Sequence, residues 1–422
     1  MKIGKRTWAS LILVGLVGQF AWTIENMYFN VYLYNTISTD PDAIALMVAA
    51  SAATATLTTL FVGALSDRLA KRKLFICLGY ILWGLATLSF GFVSVKNAAA
   101  LFPAANAVAL AAGMVVALDC VMTVFGSSAN DAAFNAYITD VTDETNRGKA
   151  ESVLATLPLL SMLVIFGAFD GLTRAGRWQE FFLIFGLLVT LTGIVSIFLV
   201  KEPALVRKDE PYFQNIVYGF RPSVIKENGK LYTALAAFGI FSVAVQVFFP
   251  FLIIYMQNYL KIEAYAIVLG IVLIFASLVS ILSGGLLDKL GRLNCVLPAL
   301  GVMLAGLVLM YFARAFAFVI VAGAVMMSGF MLLTAILSAT VRDHTPEGKV
   351  GMFQGIRMIF AVLLPMVIGP FIGSAVIKGS AETYIDLGVV KDVPTPDIFL
   401  AAAAVLLVTV IPVLILKRRA EK

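Results

Sequence analysis

Two acidic residues lie inside long apolar stretches, where a charged side chain is costly and usually functional. The first is Glu25, which helical spacing places beside Trp22, Asn26 and Asn30. Aromatic rings cover the apolar faces of sugars, while carboxylates and amides bond their hydroxyl groups. This cluster predicts that Glu25 binds a solute or a proton. The alternative is an aromatic belt that anchors a helix end at the membrane surface.

The second acidic residue, Asp119, begins a polar stripe. At about 100° per residue, Asp119, Thr123, Gly126 and Asn130 fall within roughly 40° of one line on a helix. A helix surrounded only by lipid would not keep such a stripe, so we predict solute or proton binding. The alternative is a hydrogen-bonded structural aspartate. Asp131 points about 120° away from Asp119, and we predict a role in a gate or at a helix end.

Three more polar residues lie in apolar stretches further along the chain. Arg357 follows Gln354 by one helical turn, and a buried arginine needs a partner such as a solute or a carboxylate. The alternative is that Arg357 extends to the membrane surface. Gln246 precedes Pro250, which predicts a local helix break of the kind that lines a cavity.

The composition excludes a soluble globular protein. The 422 residues are 61% hydrophobic and 13% charged, with a mean hydropathy of +0.96, whereas soluble domains have about 45–50% apolar and about 25% charged residues. The net charge of +6 does not predict nucleic-acid binding, because basic residues sit beside the ends of apolar blocks. The isolated Cys77, Cys120 and Cys295 and the single histidine, His344, predict no disulfide, metal site or cofactor.

Apolar stretches of about 20 residues, enough to cross a hydrocarbon core of roughly 30 Å, recur along the chain. They predict an all-α polytopic membrane protein with twelve transmembrane helices in two pseudo-symmetric six-helix bundles. The predicted spans lie near 7–34, 43–65, 74–95, 112–139, 150–170, 178–200, 231–259, 264–287, 294–312, 316–341, 350–377 and 397–416. The predicted domains are 1–200 and 231–422, joined by a polar linker at 201–230 with a candidate interfacial helix at 212–226.

The loops differ in charge between the two sides of the membrane. Most basic loop residues, including those at 71–73, 207–208 and 417–419, fall on the side of both termini. Positively charged loops stay in the cytoplasm. We therefore expect a plasma membrane protein (the inner membrane in a bacterium), monomeric in the bilayer, with both termini cytoplasmic.

Two short motifs occur once in each predicted half. GALSDRLAKR at 63–72 follows span 2 and GGLLDKLGR at 284–292 follows span 8, while DETNRGK at 143–149 and DHTPEGK at 343–349 follow spans 4 and 10. The glycine of the first motif permits close helix approach, and its aspartate can accept from backbone N–H groups at a neighbouring helix end. The first half is longer between these landmarks, and we assign the surplus to 96–112, a candidate interfacial or re-entrant helix.

Two six-span halves, each with a Gly-x-Leu-x-Asp turn and a following basic residue, resemble the major facilitator superfamily over the whole chain. The resemblance implies a carrier that rocks its halves about a central site. It also implies a gate latch that breaks when the cytoplasmic side opens; the alternative is a static set of ion pairs. The predicted gate residues, with Asp131, are Gly63, Asp67, Arg68, Arg72, Gly284, Asp288 and Arg292.

In that family spans 1, 4, 7 and 10 line the cavity, so the resemblance places Glu25 and Asp119 at similar depth in one cavity. Two neighbouring carboxylates with little water suit proton coupling, because one of them readily holds a proton. The predicted solute- and proton-binding residues are Trp22, Glu25, Asn26, Asn30, Asp119, Thr123, Asn130, Gln246, Gln354 and Arg357.

The sequence DVTDETNRG at 140–148 is similar to a loop of the glycoside-pentoside-hexuronide (melibiose-permease-like) sugar cotransporters. Span 2 lacks the carboxylate of sodium-coupled members, and span 5 lacks an arginine before Asp170, so proton coupling or uniport is predicted. We predict transport of a sugar or glycoside. The alternatives are export of amphiphilic drugs or lipids and carriage of another metabolite such as an organic anion. No HExxH, GxSxG or GxxxxGK[ST] pattern supports an enzyme, and no added signalling domain supports a sensor.

Overall fold

The chain folds into long apolar helices, since a membrane-spanning helix satisfies all its backbone hydrogen bonds internally. The computed structural model describes residues 3–142, 147–202, 218–290, 292–346, 350–380, 383–386 and 389–420. Within these residues, 12 helical segments are long and apolar enough to cross a membrane. The predicted fold class is confirmed. We number these segments spans 1 to 12: Lys5–Thr36, Pro41–Gly63, Arg72–Phe90, Ala107–Asp140, Thr156–Arg174, Trp178–Leu199, Gly229–Tyr259, Tyr265–Ser283, Leu293–Phe312, Phe316–Asp343, Gly355–Gly379 and Asp397–Arg419.

The helices themselves extend beyond some spans and are interrupted within others. The α-helices of the first half are Lys5–Thr23, Phe29–Thr36, Pro41–Leu69, Arg72–Phe90, Val95–Leu101, Ala107–Gly126, Asn135–Asp140, Arg147–Val164, Asp170–Arg174 and Trp178–Leu199. Those of the second half are Pro222–Glu227, Gly229–Phe248, Leu252–Ile254, Tyr265–Leu290, Arg292–Phe312, Phe316–Asp343, Val350–Met358, Leu364–Gly379, Asp397–Val408 and Val410–Ala420. One antiparallel hairpin, Thr383–Asp386 with Val389–Asp392, lies between spans 11 and 12.

Within the described residues, five segments form π-helices, in which the backbone hydrogen bonds reach five residues instead of four. They are Ile24–Tyr28, Ser127–Phe134, Ile165–Phe169, Tyr255–Tyr259 and Ile359–Leu363. They interrupt spans 1, 4, 5, 7 and 11. The break predicted at Pro250 in span 7 is a 3₁₀ turn at Phe249–Phe251.

The chain divides into two compact units. The first comprises Met1–Ser38 and Ala53–Pro211, and the second comprises Thr39–Ala52 and Tyr212–Lys422. In the first unit span 1 packs on spans 5 and 6, and span 3 packs on spans 4 and 6. In the second unit span 7 packs on spans 11 and 12, and span 9 packs on spans 10 and 12. Each pairing recurs six spans later, as an internal repeat requires.

The predicted interfacial or re-entrant segment 96–112 contains a short helix, Val95–Leu101, and then the beginning of span 4 from Ala107. Residues 95–101 form about two turns of largely exposed helix, capped by Ser94, whose side chain accepts from the backbone N–H of Asn97. Asn106 caps the following helix by accepting from two backbone N–H groups. Of the candidate helix at 212–226, residues 212–217 lie outside the described chain, and the remainder contains a short helix at Pro222–Glu227.

Candidate functional site

The first unit contains a buried polar contact between spans 1 and 4. Thr123 donates its hydroxyl hydrogen to Oε1 of Glu25 at 3.0 Å, and the two residues are 0% and 8% exposed. Glu25 belongs to the π-helical turn Ile24–Tyr28. Asp119, 2% exposed, precedes Thr123 by one helical turn on the same face. Glu25, Asp119 and Thr123 therefore belong to one buried polar region.

Span 2 reaches the same region through Thr54, whose side chain hydrogen-bonds to the thiol of Cys120. This thiol also interacts electrostatically with Asp119 and Glu25. Cys120 is partly exposed, whereas Cys77 and Cys295 are buried. A thiol reagent would therefore report on the carboxylate region through Cys120.

A pair of indole rings lies beside this region. The half-buried Trp22 packs on the buried Trp83 of span 3, with ring centroids 4.9 Å apart and planes tilted by 54°. Trp83 in turn contacts Tyr80 edge to face at 5.4 Å. The sequence predicted Trp22 but missed Trp83, because nothing in the sequence indicates which span lies behind the ring of Trp22.

The predicted asparagines of span 1 bond to their own helix. The side-chain amides of Asn26 and Asn30 donate to the carbonyl oxygens of Trp22 and Asn26 at 2.8 Å and 2.9 Å. Asn30 is fully buried and Asn26 is half-buried. Of the two, Asn26 has the side chain more open to a solute.

Asn130, predicted to bind solute, takes part in a contact among three helices. Its amide donates to the hydroxyl oxygen of Tyr80 at 2.6 Å, and Tyr80 donates to the backbone carbonyl of Val14 at 2.7 Å. Span 1 comes so close here that a Cβ on Gly18 would lie 2.1 Å from the Asn130 amide nitrogen. These bonds tie spans 1, 3 and 4 together.

The predicted gate residue Arg72 lies in a second polar contact of the first unit. Its side chain is buried, with Nε 2.9 Å from Oδ2 of Asp140 and Nη1 2.5 Å from Oγ of Ser66. This arrangement joins the ends of spans 2 and 4 to the beginning of span 3. Arg68 is exposed and Gly63 is half-buried.

Other predicted gate residues are described only in part. Asp131 accepts a hydrogen bond from Ser127 at 3.0 Å on Oδ2. The side chains of Asp67, Gln354, Asp288 and Arg292, and the surroundings of Gly284, lie outside what the structure describes.

In the second unit the predicted residues lie on different spans. Gln246 is half-buried in span 7 against span 11, where a Cβ on Gly369 would approach the Gln246 side chain to 2.5 Å. Arg357 is exposed at the end of Val350–Met358, and among the described residues the like charge of Arg342 lies near enough to repel it.

Two ionic clusters among the described residues were not predicted from the sequence. At one, the buried Asp170 accepts from the Tyr28 hydroxyl at 3.1 Å and lies 3.0 Å from Nε of Arg174. At the other, within the second unit, Lys378 bonds both Asp40, at 2.9 Å, and Asp42. The first pair was detectable from its i, i+4 spacing, but the second joins residues far apart in the sequence.

Known proteins resemble this chain in sequence and in structure. The family model described as Major Facilitator Superfamily matches residues 11–370 and 234–422. A mutant form of the nucleoside transporter NupG is similar in structure, with a TM-score of 0.74, 12% identity and coverage of 97% of this chain and 99% of that one. A second NupG structure has a TM-score of 0.69 and 12% identity, and the match covers 98% of this chain and 99% of that one. The xylose transporter XylE from E. coli, in a partially occluded inward-open conformation, has a TM-score of 0.65 and 14% identity. That match covers 95% of this chain and 97% of the other. No curated protein sequence matches the chain.

The twelve apolar helical segments of the described chain define an integral membrane protein, and the pairing of its spans repeats after six. The chain belongs to the Major Facilitator Superfamily, since the family model covers nearly all of it. The family predicted from the sequence motifs is thereby confirmed. Membership makes the protein a carrier of small molecules and not an enzyme.

Proposed function

We propose that this transporter carries a sugar or a glycoside together with protons. The observation that supports this most is the buried hydrogen bond between Thr123 and Glu25, with Asp119 one turn away. A carboxylate at this depth is costly unless it binds a partner or a proton. Trp22 lies one turn before Glu25 and offers a ring face to the apolar side of a sugar.

Proton coupling follows from the same residues. Burial disfavours the charged form of any carboxyl group, and a second carboxyl nearby disfavours it further. A solute that bonds one carboxylate would change the proton affinity of the pair, which links solute movement to proton movement. Glu25 and Asp119 are the groups proposed to carry this coupling.

A nucleoside is the second candidate solute. The tilted Trp22–Trp83 pair suits the planar face of a base as well as it suits a sugar ring, and NupG, which is similar in fold, is a nucleoside transporter. The sugar remains first because the carboxylate and amide groups outnumber the aromatic faces in the predicted site.

The remaining proposals concern the surroundings of the site. We place both termini in the cytoplasm because of the charge of the loops. Residues 1–200 and 231–422 are proposed as the two halves that move during transport. The gate is assigned to the motif residues near Asp67 and Asp288. Arg72 supports the first gate segment through Asp140. Melibiose-permease-like membership rests on the 140–148 loop alone.

The test is a thermal-shift screen of purified protein against saccharides, nucleosides, organic acids and hydrophobic cations at two pH values, because a ligand stabilises the state that binds it. We expect a saccharide to raise the Tm of the wild type and not of Asp119→Asn. Proton-driven uptake of that saccharide into proteoliposomes should fall at least tenfold in Glu25→Gln. The matched control is Glu180→Gln, the same change at an exposed carboxylate.

Unchanged uptake in both Glu25→Gln and Asp119→Asn would reject the proposed site. A response to nucleosides alone would establish the second candidate. A response only to hydrophobic cations would favour export of amphiphilic compounds.

A further inference from the structure

The π-helical segment of span 4 departs from the internal repeat. Spans 1 and 7 both contain a π segment, as do spans 5 and 11, so these pairs follow the six-span repeat. Among the elements that the structure describes, the longest π segment is Ser127–Phe134 in span 4. Its counterpart, span 10, is a continuous α-helix over Phe316–Asp343. Since π segments are rare and occur often at functional sites, the one in span 4 points to a function that the second half lacks.

The π segment changes where Asp131 points. On an α-helix, Asp131 would lie about 120° from Asp119, because each residue turns by about 100°. Hydrogen bonds that reach five residues reduce the turn per residue, which moves Asp131 back toward the Asp119 side. Oγ of Ser127 accordingly donates to Oδ2 of Asp131 at 3.0 Å.

The polar residues of span 4 then form a row at intervals of four. Asp119 and Thr123 lie on the α-helical part, and Ser127 and Asp131 lie on the π segment. Thr123 bonds Glu25 and Ser127 bonds Asp131. The row runs from the proposed solute site toward Asp140, where span 4 ends beside Arg72.

The hydrogen-bond partners that the structure describes for Asp131 are neutral. From its own helix, Ser127 donates to its carboxylate and Asn135 donates to its backbone carbonyl at 3.1 Å. From span 3, the titratable group that faces it is the Tyr80 hydroxyl, which is held by Asn130 and Val14. From span 1, Gly15 lies against Phe134 and Gly18 against Asn130 of the π segment, and neither glycine carries a titratable group. Among the described residues no salt bridge joins Asp131 to a cation.

We propose that Asp131 is a second proton-binding group, which receives the proton from the Glu25 and Asp119 region and releases it on the side where span 4 ends. The donor carboxyl becomes a carboxylate when its proton leaves, and the Asp131 carboxylate becomes the neutral acid. The hydroxyls of Thr123 and Ser127, with water between them, carry the proton along the row. Release to the aqueous side regenerates the Asp131 carboxylate. This inference rests on the proposed proton-coupled function.

The experiment compares two modes of transport in proteoliposomes loaded with the pH dye pyranine. The probe is the radiolabelled saccharide that gives the largest thermal shift with the wild type. In Asp131→Asn, exchange of labelled for unlabelled saccharide should stay within twofold of the wild type, because exchange needs no proton release. Uphill uptake driven by a pH gradient, and the accompanying dye signal, should fall at least tenfold.

Two further variants keep the test decisive. Ser127→Ala leaves the Asp131 carboxylate in place but removes the hydrogen bond that stabilises its charged form. Because the carboxylate then binds its proton more tightly, the pH profile of uphill uptake should move up by about half to one pH unit. It serves as the main variant if Asp131→Asn does not fold. Ser128→Ala, whose hydroxyl bonds only the Val124 carbonyl of its own helix, is the control and should match the wild type.

Three results would overturn the proposal in distinguishable ways. Wild-type uphill uptake in Asp131→Asn, or an unmoved pH profile in Ser127→Ala, would remove Asp131 from the proton path while leaving the transporter proton-coupled. Loss of exchange together with uptake in a folded Asp131→Asn would make Asp131 a gate residue. A wild type that exchanges saccharide but moves no proton would reject the proton coupling in the proposed function itself.

Discussion

At Gly126, span 4 passes so close to the ring of Trp83 that a Cβ would lie 2.8 Å from the ring carbon Cε2. Trp83 supports Trp22, the proposed stacking face for the solute. Overpacking of this kind costs about 1–3 kcal/mol and moves the neighbour. We expect Gly126→Ala to weaken saccharide binding, measured by tryptophan fluorescence, by about tenfold, in line with a loss of about 1.4 kcal/mol.

Gly113 in the same span is the matched control, since a Cβ on Gly113 would meet no atom within 4 Å and Gly113→Ala should bind normally. Replacing Trp83 by the smaller phenylalanine in the Gly126→Ala background should recover part of the affinity. Equal affinities in the two alanine variants would show that Trp22 does not depend on Trp83 for its position.

Between elements, the bonds of Arg72 join the ends of spans 2, 3 and 4. Both partners of the Arg72–Asp140 pair are largely withdrawn from solvent, so removing one leaves the other charge without its partner. A double-mutant cycle with Arg72→Gln and Asp140→Asn, followed by thermal unfolding, should give a coupling energy of about 1–3 kcal/mol. The exposed pair Arg177–Glu180 should give a smaller coupling in the same experiment. Additive effects of Arg72→Gln and Asp140→Asn on the stability would mean that the ion pair does not stabilise the protein.

The same scale separates what the sequence could predict from what it could not. Hydropathy and loop charge are properties of single segments, so the twelve spans and the repeat were predictable. The contact of Glu25 with Thr123 required knowing which spans meet, and the family resemblance supplied that. The π segment of span 4 left no periodic signal, so the angular position of Asp131 was estimated for an α-helix. Asp140, Asp42 and Lys378 were missed because their contacts arise only after the helices pack.

At the scale of the whole molecule, span 2 is the helix that is divided between the two compact units. Its first residues belong to the second unit, within 39–52, while the rest from Ala53 belongs to the first. There Lys378 bonds Asp40 and Asp42, and the buried Ser374 donates its hydroxyl hydrogen to Asp42. An exposed ion pair alone contributes little. Two carboxylates that share one ammonium and a buried hydroxyl form a network, which holds the beginning of span 2 more firmly.

Loosening the beginning of span 2 should therefore weaken the contact that the same helix makes with Cys120 through Thr54, and so expose that thiol. We expect Lys378→Gln to speed labelling of Cys120 by a membrane-impermeant maleimide about three- to tenfold, since a network worth about 1 kcal/mol changes an opening equilibrium by that order. The buried Cys77 and Cys295 give little background. Arg177→Gln, which breaks the exposed Arg177–Glu180 pair, should leave the rate unchanged. The charge-swapped double variant Asp42→Lys with Lys378→Asp should return labelling toward the wild-type rate. Equal rates in Lys378→Gln and the wild type would mean that the network does not restrain span 2, and that access to Cys120 is governed by other contacts along that helix.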